Sequence, residues 1–218
     1  HYAPEAQQPL LDVWFADARR GIAVGAYKAC YVTADGGATW VRTPFEPAPP
    51  PGAKPAGPDD DIPPEYHLNR IAGRGERLYV AAEAGQLYRS DDGGTSWHAG
   101  EMVTPFGVLS HGEPVAVELS DGRVMINMRN EDFRLGTVAR AVSTSPDGVR
   151  DWSPARLVPE LPDPISFGSL ARHPGGAILF ANVHAGVAVD WRLTTFGYRG
   201  RREPLGIRAS YDDGASWP

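Results

Sequence analysis

Short apolar runs separated by polar turns organise this chain. Residues 11–15, 21–26, 29–33 and 39–43 are four apolar or β-branched runs, and 66–72, 78–82, 86–90 and the stretch from Ser96 repeat the arrangement. Runs this short, bounded by turn residues, predict strands. An octapeptide punctuates them four times: Thr33-x-Asp35-x-Gly37-x-Thr39-Trp40, Ser90-x-Asp92-x-Gly94-x-Ser96-Trp97, Ser145-x-Asp147-x-Val149-x-Asp151-Trp152 and Ser210-x-Asp212-x-Gly214-x-Ser216-Trp217. The third copy has Val149 where the others have Gly. In this pattern the Asp carboxylate accepts backbone N–H bonds within its own turn, and Gly supplies a positive φ. The Trp then opens the next strand with a large apolar face. The motif therefore predicts a hairpin turn inside a repeating unit. Its Trp residues stand 57, 55 and 65 residues apart, a period that suits a four-stranded propeller blade.

Composition narrows this picture. The 218 residues include 25 Gly and 21 Pro, a density that argues against a helical bundle. Much of the Pro falls in 45–64, which reads as a loop or linker and carries Asp59-Asp60-Asp61, a solvated acidic triplet. No apolar run reaches the 18 or more residues of a membrane span. A net charge of −6 with scattered Lys and Arg argues against nucleic acid as a partner. Cys30 is the only cysteine, which rules out an intrachain disulfide. The six His show no zinc-ligand spacing, and the expectation is no metal and no cofactor. No signal peptide is visible, as in a processed secreted or periplasmic chain.

The octapeptides resemble the Asp-boxes, or bacterial neuraminidase repeats, of the sialidase superfamily. The resemblance implies an all-β propeller of four-stranded antiparallel blades, with approximate blades at 9–43, 66–100, 105–158 and 164–218. The mean box spacing of 59 gives about four blades in 218 residues, short of the six of a sialidase. The two halves resemble different relatives. Leu11-Asp12-Val13-Trp14-Phe15, Gly21-Ile22-Ala23-Val24-Gly25, His67-Leu68-Asn69-Arg70-Ile71 and Leu78-Tyr79-Val80 are similar to photosystem II stability/assembly factor-like propellers, which are binding scaffolds. From Gly112 onward the chain resembles bacterial exo-α-sialidases. Glu113-Pro114-Val115, Met125-Ile126-Asn127-Met128-Arg129, Leu161-Pro162-Asp163-Pro164, 178–182 and the run from Arg202 to the last box bear that likeness.

The second resemblance implies a site for a sugar carboxylate. Three Arg from different blades hold that group in sialidases, and the planar fork of Arg suits it. Arg129 matches the second of them, and Arg202 the third, with Arg201 and Arg199 close competitors. Arg70 matches the first, although it precedes Ile71-Ala72 where the family has Ile-Pro; it reads equally well as a strand residue of the scaffold family. Glu113, 16 residues before Arg129, matches the general base that activates a nucleophilic Tyr. That Tyr follows the last box in the family, so Tyr198 and Tyr211 do not fit. No Asp between Arg70 and Ser90 matches the acid.

Hairpin geometry tests the pairing of the two central residues. Ser120-Asp121-Gly122 predicts a three-residue loop with Gly122 left-handed, placing Leu119 opposite Arg123 and Glu113 opposite Arg129. A two-residue turn would pair Glu113 with Asn130 instead. A rim salt bridge is the structural alternative for Glu113 and Arg129. Two functions follow from the two resemblances. One is an exo-α-sialidase-like glycoside hydrolase acting on sialylated glycans or another small carbohydrate. The other is a non-catalytic propeller that binds a protein or glycan.

Overall fold

The computed structural model describes residues 8–50, 52–53, 66–103, 111–130, 139–163, 166–183 and 205–218. Four antiparallel sheets contain the strands, each in sequence order. The first holds β1 (Leu10–Phe15), β2 (Gly21–Gly25), β3 (Cys30–Thr33) and β4 (Val41–Arg42). The second holds β5 (Leu68–Arg74), β6 (Arg77–Ala82), β7 (Gln86–Ser90) and β8 (His98–Ala99). The third holds β9 (His111–Glu118), β10 (Val124–Asn130), β11 (Ala139–Ser145) and β12 (Arg156–Pro162). The fourth holds β13 (Ser169–Arg172), β14 (Ile178–Val183) and β15 (Leu205–Ser210), three strands rather than four among the described residues. These are the blades of an all-β propeller. Among the described residues no helix is long and apolar enough to cross a membrane.

The continuous apolar runs have a simple cause: both faces of a blade are covered by its neighbours. On β6, Leu78, Val80 and Ala82 pack with Ile22, Val24 and Cys30 of the first blade. The intervening Tyr79 and Ala81 pack with Ala116 and Val124 of the third. Val115, Val117 and Met125 then meet Leu170, Ile178, Phe180 and Trp217 of the fourth blade. Each fully buried Val, Leu, Ile, Phe or Met side chain among them contributes roughly 1.5–3 kcal/mol. Phe45, in the stretch that reads as linker, is buried against Tyr88 and Trp97, and Ala48 bridges His98. The outer faces are different. Leu11, Val13 and Phe15 on β1, and Leu205 and Ile207 on β15, are exposed.

Three boxes share one hydrogen-bond set. Asp35 Oδ1 accepts from Thr39 N at 2.9 Å while Oδ2 accepts from Thr39 Oγ1 at 2.6 Å, and Asp92 with Ser96 and Asp212 with Ser216 repeat both bonds. The Gly in these boxes answers two demands. Gly94 has φ +90°, and a Cβ there would stand 2.3 Å from Ile22 Cδ1. The third box departs further than Val149 alone suggests. Its positive φ values fall at Gly148 and Asp151, not at Val149. The close approach moves with them, since a Cβ on Gly148 would stand 2.7 Å from Tyr79 Cε1. Ile22 and Tyr79 lie on the second strands of the preceding blades, so boxes two and three seat against the blade before them.

These bonds make the boxes sensitive to acid. The Thr39, Ser96 and Ser216 hydroxyls, and then their backbone amides, hold Asp35, Asp92 and Asp212 down at about 2 from an ordinary 3.8. In the third box burial opposes the shift, yet the Val149 and Arg150 amides still keep Asp147 below its usual value. A folded-state pKa below the unfolded one means stability fully present above about pH 4 and lost as pH falls toward 2. Tm measured from pH 5 to pH 2 should therefore drop through that window. Asp35→Asn should flatten the drop, and an unchanged profile in that variant would count against the box contribution.

Candidate functional site

Strand pairing divides the blades into two ends. Phe15 pairs with Gly21 and Gly21 with Thr33, which opens the first box, while Asp12 pairs with Val24 at the other end. In the second blade Leu78 pairs with Ser90 of the box, whereas Arg70 pairs with Ala81 far from it. In the third, Glu118, Val124 and Ser145 align at the box end, and Arg129 sits at the opposite one. The first strands of successive blades pack together, β1 on β5, β5 on β9 and β9 on β13. Asp12, Arg70, Glu113 and Ser169 therefore all occupy the end of these strands away from the boxes.

At that end three of the four strands are bulged. The register shifts between Leu10 and Asp12 on β1, and between Leu68 and Arg70 on β5. On β9 it shifts between Val115, opposite Asn127, and Gly112, opposite Arg129. A bulge inserts an extra residue and re-aims the side chains beside it. The third bulge corrects the simple register. Gly122 is left-handed at φ 87° and Leu119 N donates to Arg123 O at 2.7 Å, as the three-residue loop requires. Beyond Val115 the pairing slips by one, so Gly112, not Glu113, lies opposite Arg129. Pro114 is the physical reason, because it has no N–H to give the ladder. Glu113 absorbs the distortion at φ 43°, a conformation that costs a non-glycine residue about 1–3 kcal/mol.

The bulge nevertheless brings the two side chains together. Arg129 Nη1 lies 2.7 Å from Glu113 Oε2, a close ion pair that lacks the alignment of a hydrogen bond. The side chains are 20% and 31% exposed, although the paired oxygen, Glu113 Oε2, is itself buried. Arg70 is engaged elsewhere. Its Nη1 donates to Asp12 Oδ1 at 3.2 Å, its Nη2 donates to Ser169 Oγ, and its guanidinium stacks 5.9 Å from the Phe167 ring centre. Asp12 Oδ2 also accepts from Ile71 N at 2.9 Å. Arg70 thus ties the first, second and fourth blades together, and a ligand carboxylate would compete with Asp12 for it.

Beneath the Glu113–Arg129 pair lie Arg140 and Asp163, both without exposed side-chain surface. Burial pushes the Arg140 guanidinium down and the Asp163 carboxyl up, each toward its neutral form, and the partner's charge opposes both shifts. Arg202, its competitors Arg199 and Arg201, Tyr198 and the 59–61 acidic triplet lie outside the described residues. Tyr211 is 82% exposed within the fourth box, at the wrong end. Sequence reading missed Asp12, Ser169, Arg140 and Asp163 as members of this constellation. The signal was a charge inside an apolar run, at Asp12 in 11–15 and at Arg140 in 139–142.

Comparison with known proteins gives these residues a context. A family model described as BNR repeat-like domain matches residues 74–218. A sialidase of Micromonospora viridifaciens is 35% identical over 147 residues, covering 63% of this chain and 20% of that protein. The chain therefore spans about a fifth of the length of that relative. Among solved structures, the K499G mutant of NanB sialidase from Streptococcus pneumoniae superposes with a TM-score of 0.56 at 18% identity, over 91% of this chain and 28% of that one. A YCF48 structure bound to D1 peptide superposes at 0.52 and 18% identity, over 97% and 54%. Both likenesses concern the fold.

Proposed function

The chain belongs to the BNR repeat-like domain family, and from that premise we propose that it carries a sialidase-type site for terminal sialic acid on glycoconjugates, at the blade end opposite the boxes. The observation that supports this most directly is the β9 bulge, which sets the Glu113 carboxylate beside the Arg129 guanidinium. The 35% identity to a sialidase runs in the same direction. In this reading Arg129 and Arg202 hold the sugar carboxylate through paired N–H donors, because guanidinium and carboxylate are both planar and match two to two. Glu113 takes the proton from the attacking oxygen as general base. Arg70 contributes only when Asp12 yields it. The natural site of action is outside the cytoplasm, where sialylated glycans are displayed.

One observation favours a second reading, a non-catalytic propeller that binds a protein or glycan. Arg70 is already satisfied by Asp12 and Ser169, as a scaffold residue would be. Incubating the folded chain with a fluorogenic α-sialoside, and titrating it with N-acetylneuraminic acid by NMR, separates the two. Turnover supports the hydrolase. Binding without turnover leaves a sialic acid-binding propeller, and the absence of both in folded protein rejects the sialidase-type site.

A further inference from the structure

Arg140 on β11 and Asp163 after β12 are the pair with no exposed side-chain surface on either partner among the described ion pairs. Their charged atoms are 3.7 Å apart, too far for a hydrogen bond, so most of their directed bonds go elsewhere. Arg140 Nε donates to Asn127 Oδ1 at 2.7 Å. Asp163 Oδ2 accepts from Asn130 N at 2.7 Å. Asn127 and Asn130 bracket Arg129 on β10, where the bulge breaks the ladder to β9. The pairing of β10 with β11 ends at Met128, and on that side Asn130 N donates to the Asp163 carboxylate, while Asn130 pairs with His111 of β9 on the other.

We propose that Arg140 and Asp163 are positioning residues, which clamp residues 127–130 from the buried side so that Arg129 presents its guanidinium to Glu113 and to an anionic sugar ligand. The ligand part of this inference rests on the sialidase-type reading above; the clamp does not. Stability is a weak explanation for the pair, since well-packed apolar residues of similar volume commonly do as well in such a place. Arg140 Nη2 and Asp163 Oδ1 lack hydrogen-bond partners, an arrangement that a purely structural core would not favour. The clamp also reaches the neighbouring blades. Arg140 Nη1 donates to Ser166 O at 3.2 Å, and the adjoining Phe167 and Ser169 both touch Arg70. One buried pair thereby sets the segment behind Arg129 and the segment beneath Arg70.

The test uses the full chain carrying Arg140→Met with Asp163→Leu, which removes both charges together. Two readouts are needed: the Nε–H NMR resonance of Arg129, and the affinity for N-acetylneuraminic acid. In the folded double variant the Arg129 resonance should move and broaden. Affinity should fall about tenfold, as expected when a charge-assisted hydrogen bond is misaimed. Arg140→Lys keeps a charge facing Asp163 but lacks the fork that reaches both Asn127 and Ser166. It should shift the same resonance, and it decides the matter if the double variant does not fold. A folded variant whose Arg129 resonance and sugar affinity both match the parent overturns the clamp. If the parent itself binds no N-acetylneuraminic acid, the functional reading fails while the resonance still tests the clamp.

Discussion

On the proposed sialidase-type reading, Glu113→Gln is expected to lower the kcat for an α-sialoside by about 10²–10⁴-fold, the usual contribution of a positioned general base. The substitution keeps the shape of the side chain and an acceptor oxygen facing Arg129, but it removes the site that takes a proton. Stability should hardly change. The Glu113 and Arg129 side chains are 31% and 20% exposed, and the Gln amide still offers an oxygen to Arg129, so the loss should stay at about 1 kcal/mol. The strained backbone at Glu113 is common to parent and variant and cancels. Activity and stability are therefore predicted to separate, and that separation is the diagnostic. A structural latch would give the opposite outcome, with turnover intact and Tm lowered. Rates should be compared at saturating and limiting substrate, because a fall in kcat and in kcat/KM together marks an interaction made in the transition state. A change in KM alone would assign Glu113 to binding.

Much of the fold was legible because the box chemistry is local. An Asp accepting from a Ser or Thr four residues on closes its turn without help from the rest of the chain. Apolar runs then complete the blades, since both faces of β6 and β10 are covered. The site was harder to read because it depends on register. Each of three first strands carries one extra residue near Asp12, Arg70 or Glu113, and the hairpin register anticipates none of these bulges. Pro114 marks its bulge, since it has no N–H for the ladder, but the hairpin register took no account of it. The register from the hairpin loop was right as far as Val115 and wrong by one at Glu113, yet the long side chains of Glu113 and Arg129 still met. The partners of Arg70 could not be inferred at all. Asp12 and Ser169 lie 58 and 99 residues away in sequence, and only the packing of first strands makes them neighbours.

The buried pair yields the second large effect. Asp163→Leu alone leaves the Arg140 charge in a site closed to water, with Asn127 Oδ1 and Ser166 O accepting from it and the Phe180 ring centre 5.6 Å away. Breaking a buried pair in this way costs about 3–5 kcal/mol. For a domain of this size that corresponds to a Tm fall of roughly 6–20 °C, at about 2–4 °C per kcal/mol. Adding Arg140→Met should recover most of the loss, because the desolvation cost of both charges disappears together. Full recovery is not expected, since Asn130 N and Asn127 Oδ1 each lose a partner and an unmet buried group costs about 1–3 kcal/mol. The two single variants and the double variant, unfolded in urea, close a cycle whose coupling energy should be several kcal/mol. That number decides how the clamp on Arg129 works. Strong coupling in stability together with a displaced Arg129 in the double variant means that the pair holds geometry which an apolar core of equal stability cannot. Coupling below about 1 kcal/mol would place the pair among solvated surface bridges and remove the rigidity on which the clamp depends.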